Sequence, residues 1–393
     1  QSSEGSGPPP SAATLATPVA LFMSQKLTPP VAEFQTTVTP DGIVFRYPDP
    51  GHDLVDLRLA FHLDLPGYPR SLDAVDGGWA VHWPLPPLDR MEYQFEARLP
   101  FLHDRRTYLP DPGNPLRIDA PFGALSCLEL PSYHAPAWLD GPTVGGRHTP
   151  IRIHGTPCGD IDASIWAPDW AADDDPLPLV VAQDGPEFDR LGGLTHAVAA
   201  LVAAGRLPAM RVALLAPNER NSEYPANPRY AEALVDHVLP TVRGRCATAG
   251  RPILAGVSLG AVAALHAEWT RPGTAAGLLL LSGSFFLDRY DGHERGFPHW
   301  GRLRAFIDEV HTSGYAVAEQ ADAAHLPAAL GWGTVEENRH NNAAMTSRLQ
   351  ALGMPTMVAT RRDGHVFTCW RDLLDPLLPD LASAAWLRER VDA

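Results

Sequence analysis

Apolar residues recur at every second position through much of the first third of the chain. Val44-Phe45-Arg46-Tyr47, Leu57-Arg58-Leu59-Ala60-Phe61-His62-Leu63, Trp79-Ala80-Val81-His82-Trp83 and Tyr93-Gln94-Phe95-Glu96-Ala97-Arg98-Leu99 alternate or are rich in strand formers, which predicts half-buried strands. Pro- and Gly-rich turns separate them at intervals suited to a small β-sandwich. The pattern changes after about residue 145. Ile151-Arg152-Ile153-His154 and Ala163-Ser164-Ile165-Trp166 still read as strands. Then near-continuous apolar runs appear at Leu177–Ala182, Arg211–Ala216 and Gly277–Ser282. Such runs suit central strands covered on both faces. Helical segments alternate with them near 192–205, 228–243, 259–270, 340–352 and 370–391. That alternation predicts an α/β unit with a mainly parallel sheet, whose site lies at the carboxyl ends of its strands.

The chain therefore divides into a tail at 1–27, a β-sandwich at 28–145 and an α/β domain at 146–393. Two domains also suit a length of 393 residues. The first eleven residues are Ser/Gly/Pro-rich and read as a disordered tail. The formal charge of -15 argues against non-specific binding to nucleic acid or an anionic membrane, and no apolar run is long enough to span one. Cys127, Cys158, Cys246 and Cys369 are scattered without a C-x-x-C pair, which fits a reducing, cytoplasmic setting. The 16 histidines show no metal-ligand spacing, so no metal site is expected.

The candidate chemistry centres on Gly256-Val257-Ser258-Leu259-Gly260. It follows the strand-like Pro252-Ile253-Leu254-Ala255 and precedes a small-residue helix. Strand, G-x-S-x-G, helix is the setting that presents a serine as a nucleophile. A serine hydroxyl needs a base, and the base needs an orienting acid. After a last strand at Met357–Thr360 comes Arg361-Arg362-Asp363-Gly364-His365, which makes His365 the candidate base. The acid is expected between serine and histidine, after the strand-like Ala328–Gly333. Glu336 is the first choice and Glu337 the second; Asp322 and Asp363 are weaker alternatives, and a Glu-Glu pair also suits a helix start. An oxyanion hole needs two backbone N–H groups. Leu259 is one expected donor. The other is expected in Asp184-Gly185-Pro186-Glu187-Phe188, where the proline has none to give. Residues 285–327, with His293, His299, Trp300 and His311, form the candidate lid.

With Leu281-Ser282-Gly283-Ser284-Phe285-Phe286, Gly333-Thr334-Val335-Glu336, Asp363-Gly364-His365-Val366-Phe367-Thr368-Cys369-Trp370-Arg371, Arg220-Asn221-Ser222-Glu223-Tyr224 and Asp111-Pro112-Gly113-Asn114-Pro115, the chain resembles the enterochelin (siderophore) esterases. These belong to the broader esterase D-like α/β-hydrolases. The resemblance covers most of the chain. It implies an immunoglobulin-like N-terminal domain and a C-terminal serine hydrolase acting on ester bonds of a catecholate siderophore. Iron would then arrive with the substrate, so no cofactor is implied. Relatives place an N–H donor just after the D-G pair, where this chain has Pro186; the donor then shifts to Gly185 or Glu187. A ferric catecholate is anionic, yet Lys26 is the single lysine. Arg220, Arg362 and Arg371, with Trp370, are the candidate substrate contacts, and for Arg220 and Arg371 a structural role competes. Other carboxylic esters, or acyl transfer, use the same residues. A reading of another class is a glycan-binding protein on a degenerate hydrolase scaffold, with Trp79, Trp83 and Tyr93 stacking on sugars; core packing is the commoner use of such aromatics.

Overall fold

The computed structural model of the chain describes residues 34–100, 106–314 and 326–389. The expected tail, Asp322 and part of the candidate lid lie outside the described residues. Nine strands come first: β1 (Thr37–Thr39), β2 (Gly42–Pro48), β3 (Asp56–Ala60), β4 (Asp73–Val75), β5 (Gly78–Trp83), β6 (Arg90–Arg98), β7 (Arg106–Leu109), β8 (Arg117–Ile118) and β9 (Leu125–Glu129). They form two antiparallel sheets, one ordered β1-β2-β5-β4 and one β3-β6-β9-β8 with β7 on β6. Alternate residues point into one shared core, as the period-two pattern requires: Ile43, Phe45 and Tyr47 from β2, Tyr93, Phe95 and Ala97 from β6. Edge-to-face aromatic pairs lock it, with Phe45 and Trp83 centroids 5.0 Å apart and Tyr47 and Phe95 5.1 Å. The sugar-stacking reading is corrected here. Trp83 and Tyr93 are buried core residues, and the half-buried Trp79 donates its indole N–H to Asp49.

The remaining strands are β10 (Gly146–Thr156), β11 (Gly159–Pro168), β12 (Leu179–Ala182), β13 (Arg211–Leu215), β14 (Ile253–Val257), β15 (Gly277–Leu281), β16 (Ala328–Gly333) and β17 (Thr356–Arg361). They build one mixed sheet in the order β10-β11-β13-β12-β14-β15-β16-β17. It is antiparallel at β10-β11-β13 and parallel from β13 onward. Strands β12 to β16 are buried throughout, because successive residues of each apolar run feed opposite faces. Leu278 and Leu280 join one core and Leu279 and Leu281 the other. Helices α1 (Gly185–Gly192), α2 (Leu194–Ala203) and α7 (Phe367–Glu389) cover the second core. The first is covered by α3 (Pro228–Glu232, continued through a wide turn at Ala233–Val238 into Leu239–Arg245), α4 (Leu259–Thr270), α5 (Trp300–Thr312) and α6 (Arg339–Ala351).

Two expectations shift and one is met closely. The Asp-Gly-Pro stretch after β12 opens a helix rather than continuing as loop, with Pro186 in the first turn, where a missing N–H is harmless. The helix expected near 192–205 runs Leu194–Ala203, set off from α1 by Gly193, which holds φ 63°. Within the candidate lid, α5 is a regular helix packed on the first core through Leu303, Phe306, Ile307 and Val310. All four cysteines are free.

Candidate active site

Five neighbouring strand ends converge at the carboxyl edge of the parallel sheet. Asp184 follows β12, Ser258 follows β14, Ser282 follows β15, Glu336 follows β16 and His365 follows β17. Ser258 sits at the tip of the strand-to-helix turn with φ 56° and ψ −123°, a conformation that non-glycine residues seldom hold unless the surroundings impose it. Here they do. A Cβ at Gly256 would lie 2.2 Å from the Gly260 carbonyl carbon, so only glycine lets β14 and α4 meet this tightly. The Ser258 N–H donates to the Leu281 carbonyl at 2.9 Å, and its own carbonyl accepts from the Ser284 N–H at 3.2 Å. The Ser258 hydroxyl lies 3.3 Å from the Ser284 hydroxyl; among the described residues no hydrogen bond joins it to His365.

His365 and Glu336 do meet. The imidazole Nδ1 lies 3.7 Å from the Glu336 Oε2, and Glu336 is fully buried. That separation is beyond a hydrogen bond, yet His365 Nδ1 and Glu336 Oε1 are both buried without a partner. Burial alone would lower the His365 pKa, but Glu336, with a smaller push from Glu337, outweighs it and holds the imidazole above its usual value. The edge of the imidazole meets the Trp370 indole at 5.1 Å between centroids. Glu336 is anchored from behind: its Oε2 accepts from the Ser282 hydroxyl at 2.7 Å and from the Gly333 N–H at 3.2 Å. The Trp370 indole N–H donates to that same hydroxyl at 2.8 Å. A chain Trp370, Ser282, Glu336 thus ends at His365.

Gly185 and Leu259 open α1 and α4, and the first N–H groups of a helix have no acceptor within it. The two starts are neighbours because β12 and β14 pair in parallel, Ala182 beside Ala255. Glu187 is the third residue of α1, past Pro186. Each helix start carries partial positive charge.

The candidate substrate contacts fare unequally. Arg220 is bound to Asp184, 2.8 Å from Nε to Oδ1, which shares its charge rather than leaving it free; its partner is not Glu223, whose carboxylate accepts from the Asn218 N–H. Arg371 is also engaged, in line with the competing structural role: its Nε meets Asp372 at 2.8 Å and its Nη2 donates to Tyr133 at 2.9 Å. Trp370 is buried beside His365. Arg362 stays half exposed, 3.4 Å from Asp89. Asp363 turns away from His365 to pair with Arg90 at 2.5 Å. Ser282 and the asparagine clamp were not singled out from sequence. Asn342 accepts from the Gly283 N–H at 2.9 Å and donates to its carbonyl at 2.8 Å. Asn338 reaches the Ser282 carbonyl. The only signal was their grouping at the start of α6.

No helix among the described residues is long and apolar enough to cross a membrane. A comparison with curated proteins returned no match. Among solved structures, the enterobactin esterase of Shigella flexneri, crystallised in the presence of enterobactin, is 21% identical with a TM-score of 0.69, covering 88% of this chain and 94% of its own. The ferric enterobactin esterase of Salmonella typhimurium is 21% identical with a TM-score of 0.68, covering 90% and 95%. A ferulic acid esterase is 14% identical with a TM-score of 0.52, covering 62% and 99%. Residues 157–381, more than half of the chain and reaching from just before β11 into α7, match the family model described as "Putative esterase"; the chain belongs to this esterase family, as a carboxylic-ester hydrolase.

Proposed function

We propose that Ser258 is the nucleophile, His365 the general base and Glu336 the acid that orients it. The observation that carries this reading is the placement of a strained serine elbow and a half-buried His365 beside the fully buried Glu336 on neighbouring strand ends. The hydroxyl rotates from Ser284 toward His365 as substrate enters; such bonds often tighten only in the complex. His365 takes the proton, Glu336 stabilises the imidazolium, and the Ser258 oxygen adds to the ester carbonyl. The resulting oxyanion is held by the N–H groups of Leu259 and Gly185 at two helix starts. Glu187 is the alternative second donor. The alkoxide leaves with the proton from His365. A water, deprotonated by the same base, then frees the carboxylic acid.

For substrate, we propose the ester bonds of a catecholate siderophore, with iron carried in by the substrate. The likeness to the enterobactin esterases runs over both units of the chain, which supports an immunoglobulin-like N-terminal domain followed by the hydrolase domain from about residue 146. One observation favours a second reading, a neutral aryl ester. Arg220 and Arg371 are balanced by Asp184 and Asp372, so the site offers a trianionic iron complex little free positive charge. Turnover of a catecholate trilactone, with and without ferric iron, against short aryl esters tests the choice. Trilactone cleavage with the higher kcat/KM is expected. Turnover confined to aryl esters removes the siderophore assignment and leaves the Ser258 chemistry standing.

A further inference from the structure

His365 is held by its backbone more than by its side chain, because its Nδ1 has no hydrogen bond and its nearest carboxylate is 3.7 Å away. What fixes that backbone comes largely from the N-terminal β unit. Arg90, the first residue of β6, is 1% exposed and reaches two carboxylates on the histidine segment: Asp363 at 2.5 Å and Asp372 at 3.1 Å. Asp363 uses its other oxygen to accept the Gly364 N–H at 2.7 Å. The guanidinium thus sets the peptide that leads directly into His365. Tyr133 completes the cluster, accepting from Arg90 at 2.8 Å and donating to Asp372 at 2.9 Å. Glu92, also on β6, accepts from the Thr368 hydroxyl at 2.5 Å.

The same unit holds the other half of the pair. Val335, next to Glu336, is buried in the sandwich core, and the Val335 carbonyl accepts the Asp64 N–H at 2.8 Å. Gly364 is pressed so closely on β-unit residues that an added Cβ would lie 2.4 Å from Leu63. Both sides of the His365–Glu336 gap are therefore fastened to the N-terminal β unit.

We propose that Arg90 is a positioning residue for His365, so that ester hydrolysis depends on a guanidinium supplied by the N-terminal β unit. This rests on His365 being the base. A displacement of order 1 Å at a reacting group costs up to about a hundredfold in rate, and a buried interdomain ion pair that were merely structural would leave the rate of each folded molecule unchanged.

The test is Arg90→Met, of similar length without the charge, titrated with a fluorophosphonate probe in the full chain. The expected result is labelling that still reaches one probe per chain at about 10–100-fold lower rate. With an aryl ester kcat falls accordingly, while KM stays within about twofold. Arg90→Lys keeps the charge but not the two-carboxylate reach and is expected to fall between. Labelling at the wild-type rate overturns the proposal, whether every chain reacts or only a reduced fraction. If Arg90→Met does not fold, Arg90→Lys decides by the same titration: full stoichiometry at reduced rate upholds the proposal, and the wild-type rate overturns it. A wild type that does not label at all overturns the hydrolase mechanism, and this inference with it; a labelling wild type with an unaffected Arg90 variant overturns this inference alone.

Discussion

Ser282→Ala removes one oxygen that holds two buried groups. In the wild type the fully buried Ser282 hydroxyl donates to Glu336 at 2.7 Å and accepts from the Trp370 indole at 2.8 Å. Losing it leaves the Glu336 Oε2 with the Gly333 N–H alone, at 3.2 Å, while Oε1 already lacks a partner. A hydrogen bond to a charged group contributes about 1.5–3 kcal/mol, and an orphaned buried donor costs about 1–3 kcal/mol. Partial relaxation, or entry of a water, offsets some of this. The expected loss is about 2–5 kcal/mol in stability of the hydrolase unit. Denaturant unfolding followed by tryptophan fluorescence and circular dichroism measures it, at several pH values. Ser347→Ala is the control, since that hydroxyl is exposed and bonds only the Ala343 carbonyl one turn back; a change within about 0.5 kcal/mol is expected there. A Ser282→Ala loss no larger than the control's would refute the bridging role.

Two further substitutions test electrostatics. Burial lowers the His365 pKa and Glu336 more than reverses this; a base acts when neutral, so kcat/KM should rise with pH through the raised value. The attraction stabilises the fold at pH below the unfolded histidine value and fades as pH climbs through the folded one. Glu336→Gln should therefore move the acid limb of kcat/KM to lower pH and cut the plateau by about 10²–10⁴-fold; an unmoved limb counts against the pairing. Glu92 is pushed up to about 7 by burial, only partly offset by the Thr368 hydroxyl. A carboxyl raised this way favours the fold at low pH and disfavours it as pH rises through 7. Glu92→Gln should then be more stable than wild type at pH 8 by about 3 kcal/mol, the gap closing toward pH 4.5. Parallel stability curves from pH 5 to 8 would sink that account.

The parts of the fold that were legible in sequence are those written locally. Runs such as Gly277–Ser282 read as central strands because both faces are covered, and Ile43, Phe45 and Tyr47 read as an inward face because side chains alternate. The elbow was legible because its backbone admits only glycine at Gly256. What escaped depends on distant partners. Glu336 and Glu337 are neighbours in sequence, and the Ser282 hydroxyl and Gly333 N–H that hold Glu336 beside His365 are brought to it by the fold. For Arg371 and Arg220 the sequence leaves a substrate contact and a structural role both open, and their partners Tyr133, Asp372 and Asp184 are visible only in the fold. Arg90 carries no motif, because its meaning lies in carboxylates more than 270 residues away. The helix at Gly185–Gly192 was hidden by an Asp-Gly-Pro signal that serves a turn and a helix start equally well.

The central claim is that Ser258 is the nucleophile. Its most direct test is fluorophosphonate labelling of the wild type and Ser258→Ala, with the adduct located by peptide mass spectrometry. One adduct per wild-type chain, on Ser258, is expected, and none on the variant. An adduct elsewhere, persisting in Ser258→Ala, or an unlabelled wild type would contradict it.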